Sequence, residues 1–151
     1  MNKLSHISAD DRPVMVDVGD KPEVKRIAKA EGFIKLNADT LEQISENRMK
    51  KGNTLITAEL AGVQAAKKTP ELIPLCHTLI ISKVDVRATL QKDGVFIESE
   101  VRCTGRTGVE MEALTAVSVA LLTIYDMCKA VDDNMRIGDI SLIEKTKSEQ
   151  I

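Results

Sequence analysis

The sequence predicts an α+β fold in which an antiparallel sheet is covered on one face by helices. Residues 83–91 and 95–101 alternate apolar and polar side chains around the tight-turn signal Lys92-Asp93-Gly94, which is typical of a β-hairpin. Residues 109–131 form a long and almost continuously apolar segment with the length of a helix. Because residues 24–36 also alternate like a strand with one solvated face, several strands and two long helices are expected to share one core.

The first 22 residues are predicted to form a mobile N-terminal arm. They are polar, and prolines and a glycine interrupt any regular pattern, at Pro13, Gly19 and Pro22. Alternating valines at positions 14–18 are compatible with one short extended piece. The whole chain is expected to form a single domain, since 151 residues suit one hydrophobic core.

Two shorter elements are predicted from their end signals. Asp39 or Thr40 can cap a short helix that runs to about Asn47, because either side chain can accept a hydrogen bond from the first turn. Near the end of the chain, residues 140–143 are expected to begin a last strand that leads into a charged tail.

A longer helix is predicted before the hairpin. Asn53 or Thr54 can cap it, and Pro70 is expected to end it at about Lys68, since proline disrupts a helix interior. Its small residues, four alanines and a glycine between positions 58 and 66, allow another backbone to approach closely. We therefore expect this helix to pack on both sides.

Composition excludes several classes of function. Aromatic residues make up 2% of the chain, so base stacking of single-stranded nucleic acid has no platform, and a net charge of −2 gives no general attraction to polyanions. No signal peptide or membrane span is recognised, since charged residues interrupt residues 109–131. Three widely spaced cysteines favour free thiols in a reducing compartment, so a cytoplasmic location is expected.

The helix at 109–131 carries few polar residues, and some of them share a face. Glu112, Thr115, Asp126 and Lys129 fall within roughly a third of its circumference at about 100° per residue. One interpretation is a solvated stripe with an ordinary ion pair, and the other is a functional site, since charges among apolar side chains normally require a partner. Glu112 and Asp126 would lie ~21 Å apart on a straight helix, so a site using both is elongated or assembled from two subunits.

Two other segments, and Lys51 between the helices, each have a functional and a structural interpretation. Residues 102–108 place two arginines and two glycines before a helix, which suits an anion but is equally compatible with a flexible turn. The adjacent Cys76 and His77 have no second pair at zinc-site spacing, so no metal site is predicted, although a histidine in a loop is a natural proton carrier. Lys51, in a break between helices, is either a surface lysine or part of a site.

Several segments of the chain resemble one family. Residues 104–116 (TGRTGVEMEALTA) and 121–130 (LLTIYDMCKA) resemble the signature of the cyclic pyranopterin monophosphate synthases of molybdenum cofactor biosynthesis. Three further segments agree with that family in order: 15–18 (MVDV), 61–67 (AGVQAAK) and 72–77 (LIPLCH). The resemblance extends over nearly the whole chain.

The resemblance implies a fold, an assembly and a reaction. The subunit would be ferredoxin-like, and a homohexamer, a trimer of dimers, would hold active sites at its subunit interfaces. The enzyme would be a lyase that converts 3′,8-cyclo-7,8-dihydro-GTP to cyclic pyranopterin monophosphate with release of pyrophosphate. No cofactor and no metal are implied. A rival interpretation is a non-catalytic, nucleotide-binding regulatory oligomer, because a fold does not fix a function.

The family's functional residues match individual positions of this chain. Its catalytic aspartate falls on Asp126, and its two catalytic lysines fall on Lys51 and Lys129. Positions that contact substrate or line the family's active site fall on Leu75, Cys76, His77, Met111, Glu112, Glu110, Lys67 and Arg26. Asp126 and Lys51 are expected to act as general acid and base, and Lys129 as their partner and phosphate contact.

One residue departs from the family pattern. Thr78 follows His77 where the family usually has proline. Because proline biases the preceding residue towards an extended backbone, its loss affects the expected rigidity of this loop. The identity of the site residues is unaffected.

Overall fold

The computed structural model describes residues 5–149. Its elements, in chain order, are β1 (Val24–Lys35), α1 (Ala38–Ser45), α2 (Thr54–Leu72), β2 (Ile81–Gln91), β3 (Gly94–Gly105), α3 (Glu110–Cys128) and β4 (Arg136–Ser148). The four strands described form one antiparallel sheet in the order β2-β3-β1-β4. This β-α-β-β-α-β arrangement, with α1 as an addition, is ferredoxin-like, and the predicted α+β class is confirmed.

The predicted hairpin forms around Lys92 and Asp93, where Gln91 pairs with Gly94. Gly94 is required by close packing, since a Cβ atom there would lie 2.0 Å from the Ile34 carbonyl oxygen. Strand β3 continues to Gly105, farther than the sequence predicted, because β1 pairs with it along its whole length from Val24 onwards. The start of the predicted glycine and arginine loop is therefore strand.

The core lies between the sheet and the helices. On β1 and β3 the side chains that face the helices are fully buried, including Ile34 and Ile97. Helix α3 packs across β1, β3 and β4 and against α2. By length and composition α3 is apolar enough to cross a membrane. However, 56% of its most apolar stretch is buried against the rest of this protein. It is the central core helix.

Helices α2 and α3 approach each other closely at Gly62. A Cβ atom on Gly62 would lie 3.0 Å from the backbone oxygen of Ala116 and 2.9 Å from a methyl carbon of Val86. The prediction that small residues allow close packing on both sides of α2 is thus confirmed. This contact sets the position of the N-terminal end of α2 beside the C-terminal end of α3.

Two predicted helix ends were wrong in detail. Helix α1 is capped by Asn37, whose Oδ1 accepts a hydrogen bond of 2.8 Å from the Thr40 N–H. Helix α2 does not end at Lys68 but continues through Pro70 to Leu72. The buried Thr69 hydroxyl donates to the Ala65 carbonyl over 3.0 Å, and this packed last turn outweighs the local preference of proline. The predicted cap at Asn53 is confirmed.

The last strand was predicted too short. Strand β4 begins at Arg136, and the residues expected to form a charged tail belong to it as far as Ser148. It is an edge strand that pairs with β1, so its side chains remain largely solvated and charges are tolerated. Glu144, for example, forms an ion pair of 2.9 Å with Lys29 on the uncovered sheet face.

Residues 5–22 have no helix or strand beyond an isolated bridge between Ile7 and Pro13. Residues 1–4 of the predicted arm lie outside the described part of the chain. The mobility of this arm stays a prediction, but its irregular backbone agrees with the sequence.

Candidate active site

Most of the predicted site residues lie at the two ends of α3. Asp126 and Lys129 are at its C-terminal end, where Lys51 joins them. Glu110, Met111 and Glu112 are in its first turn, at the other end. The structure therefore separates the predicted residues into two groups on one subunit.

The first group is an ion cluster of three side chains. The Asp126 carboxylate receives the Lys51 ammonium on Oδ2 at 2.7 Å and the Lys129 ammonium on Oδ1 at 2.8 Å. Lys51 also donates to the main-chain carbonyl of Asp126 at 3.1 Å. Hydrogen bonds from Lys129 and then Lys51 lower the pKa of Asp126 to about 2, and the same pairing raises the pKa of Lys129.

This cluster, called here the lysine-aspartate cluster (Lys51, Asp126 and Lys129), is open to solvent. Its side chains are 51%, 56% and 60% exposed, respectively. Ion pairs so exposed contribute little to folding stability. The turn that presents Lys51 includes Gly52, whose φ of 97° favours glycine. The arrangement thus offers a carboxylate and two ammonium groups to a ligand from solvent.

The second group lines a cavity of about 320 Å³ at the N-terminal end of α3. Six of the predicted substrate-binding residues contribute to its wall: Leu75, Cys76, His77, Glu110, Met111 and Glu112. The segment after α2 and the first turn of α3 meet here, although about 35 residues lie between them in the chain. The arm also contributes to the wall, through Val16, Val18 and Lys21.

Glu112 is the most buried acid of this cavity. It is 2% exposed, and burial raises the pKa of its carboxyl group. The thiols of Cys76 and Cys103 also have raised pKa values, caused first by burial and then by the Glu112 charge. A carboxyl group that holds its proton more tightly than usual can donate a hydrogen bond or a proton to a ligand.

His77 makes one hydrogen bond in this cavity. Its Nε2 lies 2.7 Å from the main-chain oxygen of Val16, in the arm. Thr78, the departure from the family pattern, follows it in a segment without regular structure. The imidazole is therefore held from the arm side rather than by its own loop.

Arg26 lies in a neighbouring cavity of about 330 Å³ that is rich in positive charge. Its guanidinium donates to the carbonyls of Gly105 and Arg106, at 3.3 and 3.1 Å, and so fixes the loop before α3. The basic side chains of this cavity, called here the basic cavity, are Lys21, Arg26, Arg106, Lys145 and Lys147. Lys21, Thr107 and Gly108 line both cavities, so the two adjoin.

Sequence reasoning missed Lys21, Lys145 and Lys147 as site candidates. Lys21 belongs to the predicted arm. Lys145 and Lys147 belong to the predicted tail, and only strand β4 brings these two beside Arg26. Lys145 also forms an ion pair of 2.5 Å with Glu110, which joins the wall of one cavity to the other. The spacing of Lys145 and Lys147, two residues apart, would place both side chains on one face of a strand, but the predicted strand did not include these residues.

Lys67 does not join either group. It lines a groove between α2 and the start of β2, with Val63 and Leu79. Within residues 5–149 no three histidine, cysteine or acidic side chains are arranged to hold a metal ion. That a metal is unnecessary stays a prediction, as do the individual roles of the site residues.

The fold defines a ferredoxin-like α+β protein, with two adjoining polar cavities at one end of its central helix. A family model supplies the identification. The MoaC family model matches residues 15–148, nearly the whole chain, and the chain belongs to the MoaC family of molybdenum cofactor biosynthesis. The resemblance found in the sequence is thereby confirmed at the level of the family.

Proposed function

We propose that this protein is a cyclic pyranopterin monophosphate synthase, a lyase that converts 3′,8-cyclo-7,8-dihydro-GTP to cyclic pyranopterin monophosphate and pyrophosphate. Membership of the MoaC family supports the proposal. The observation that carries it is the lysine-aspartate cluster, in which one carboxylate holds two ammonium groups at 2.7 and 2.8 Å.

The reaction needs several proton transfers, since a purine-derived ring opens and closes again as a pterin. The Asp126 carboxylate, with a pKa of about 2, is ionised near neutral pH and so is free to take up a proton, although the pairing that lowers its pKa also makes it a weaker base. The two ammonium groups beside it can donate one. We assign general acid and base roles to Lys51 and Asp126, and a partner and phosphate-contact role to Lys129.

Release of pyrophosphate requires stabilisation of negative charge. The basic cavity is lined by five cationic side chains and one acidic residue, Glu149; of the five, Lys145 is paired with Glu110 and Arg106 lies 3.9 Å from Glu23. Because it adjoins the cavity lined by His77 and Glu112, a ligand can place its ring in one and its phosphates in the other. Cationic side chains that face developing phosphate charge lower the barrier without a metal ion.

The lysine-aspartate cluster lies far from these cavities within one subunit. Glu112 and Asp126 are fourteen residues apart on α3, which corresponds to ~21 Å. We therefore propose that a neighbouring subunit contributes the cluster to each site, in a homohexamer arranged as a trimer of dimers. As a soluble biosynthetic enzyme it would act in the cytoplasm.

The test is pyrophosphate release from purified protein and 3′,8-cyclo-7,8-dihydro-GTP. Lys51→Met keeps the length of the side chain but removes its charge, and we expect a loss of turnover of at least about 100-fold. The control is Lys92→Met, which makes the same change in the exposed hairpin turn. A regulatory oligomer predicts that the wild-type protein binds the nucleotide without releasing pyrophosphate, and that result would contradict the proposal.

A further inference from the structure

We propose that the main-chain carbonyl of Val16 is a positioning group for His77. It fixes the imidazole in the tautomer protonated at Nε2 and leaves Nδ1 as the atom that accepts a proton. The arm of residues 5–22 is then part of the catalytic site. The tautomer follows from the geometry alone, whereas its use in proton transfer rests on the proposed function.

The hydrogen bond itself determines which nitrogen of the imidazole carries the proton. A carbonyl oxygen accepts and cannot donate, so the 2.7 Å contact between Nε2 and the Val16 oxygen requires a proton on Nε2. In a neutral imidazole the second nitrogen, Nδ1, then carries the lone pair. Hydrogen bonding of one ring nitrogen commonly sets the function of the other in this way.

The contact is also the attachment of the arm. Within residues 5–149, the His77 bond is the one hydrogen bond that joins residues 5–22 to the rest of the chain. The other hydrogen bonds of this segment are internal, such as the one between the Val14 N–H and the His6 carbonyl at 2.9 Å. Attachment of the arm and the tautomer of the His77 imidazole are therefore coupled.

The coupling has a consequence for catalysis. The wall contributed by Val16, Val18 and Lys21 encloses the cavity when the bond is made. In the proton transfer, Nδ1 takes a proton from the substrate while Nε2 keeps its own proton and continues to donate it in the hydrogen bond to the Val16 carbonyl, which stabilises the imidazolium that forms. Release of the proton to a leaving or entering group returns the same neutral tautomer.

The first test is the ¹⁵N spectrum of histidine side chains in the full-length, unliganded protein at a pH where both histidines are neutral. The chain has two histidines, so His6→Gln assigns the His77 signals. We expect the two-bond proton-nitrogen pattern of the tautomer protonated at Nε2. A predominant Nδ1-protonated pattern would overturn the proposal.

The second test separates attachment from proton transfer. In His77→Gln the side-chain amide can still donate to the Val16 carbonyl, whereas His77→Ala removes the donor. We expect limited proteolysis or hydrogen exchange of residues 14–18 to be about tenfold faster in His77→Ala, and close to wild type in His77→Gln. Both variants should lose pyrophosphate release, since neither glutamine nor alanine has a basic nitrogen that can take up a proton in place of Nδ1.

Equal protection of the arm in wild type and His77→Ala would contradict the attachment, and full turnover by His77→Gln would contradict the proton transfer. Neither the spectrum nor the protection measurement uses substrate. If the wild-type protein released no pyrophosphate, the proposed function would fail while these two measurements would still decide on the tautomer and the attachment.

Discussion

The Lys51 ammonium lies 2.7 Å from the Asp126 carboxylate, although 75 residues separate the two in the chain. The contact exists because α2 runs back along α3 and places the turn before α2 beside the last turn of α3. Lys129, three residues after Asp126, completes the cluster from the same helix end. The chemistry of this cluster therefore depends on how two helices pack.

Replacement of Asp126 by asparagine tests the centre of the cluster. The amide keeps the size of the side chain but neither attracts two ammonium groups nor accepts a proton, so we expect pyrophosphate release to fall by about 100-fold or more. The free energy of unfolding should change little, because the pairs are exposed. Glu46→Gln, which breaks the exposed pair with Arg48, is the control and should keep wild-type turnover. Near-normal turnover by Asp126→Asn would remove Asp126 from the mechanism.

The titration of Asp126 is a second prediction. Its pKa falls from 3.8 to about 2 because Lys129 and Lys51 donate to its charged form. A lowered pKa in the folded state means that the pairing favours folding above about pH 3.8, and that this contribution is lost as the pH falls through about 2. Carboxyl ¹³C shifts should show the low midpoint, and Lys129→Met should raise it. An unchanged midpoint in that variant would contradict the pairing.

Much of the fold followed from the sequence, and its errors have local causes. The hairpin, β1 and α3 were predictable because their alternation or continuous apolar character is set by one buried face or by full burial. The full length of strand β4 was not predictable beyond residues 140–143, since an edge strand with charges on both faces has no such pattern. The end of α2 was missed because a buried Thr69 turn overrides the proline rule.

The candidate site was less accessible to sequence reasoning than the fold. Residue identities came from the family signature, and the structure brings six of them to one cavity. The basic cavity was hidden, since Lys145 and Lys147 approach Arg26 only through pairing of β4 with β1. The bond between His77 and Val16 was equally hidden, because neither spacing nor composition predicts where an irregular arm lies.

Gly62→Ala should weaken the packing of α2 on α3. The added Cβ would lie 2.9 Å from a Val86 methyl carbon and 3.0 Å from the Ala116 backbone oxygen, so α2 must shift away from these neighbours, and we expect a loss of about 1–2 kcal/mol in the free energy of unfolding. Turnover should fall as well, since the turn that carries Lys51 leads directly into α2. Urea denaturation measures the first effect. Gly138→Ala is the matched control, with no atom within 4 Å of its Cβ, and should be neutral.

Glu112→Gln should separate stability from activity. Burial raises the pKa of Glu112, so ionisation of its carboxyl group opposes folding. The free energy of unfolding is therefore highest below the unfolded-state pKa of 4.5 and decreases as the pH rises from there through the pKa of the folded state. Glutamine does not ionise, and we expect the variant to be more stable near pH 8 by on the order of 1 kcal/mol, roughly 2–4 °C in Tm. Thermal unfolding from pH 4 to 8 measures this. A variant as pH-dependent as wild type would contradict the assignment, and turnover should decrease if the carboxyl group contacts substrate.

Lys147→Met tests the basic cavity as the phosphate site. Removal of one of its five cationic side chains should raise KM and weaken inhibition by pyrophosphate about five- to tenfold, with a smaller effect on kcat, because the charge acts mainly in binding. The difference from wild type should shrink as salt rises, since screening weakens exposed charges. Lys92→Met removes the same charge from the hairpin turn and should leave KM unchanged. Equal KM values for the two variants would place the phosphates of the substrate elsewhere on the protein.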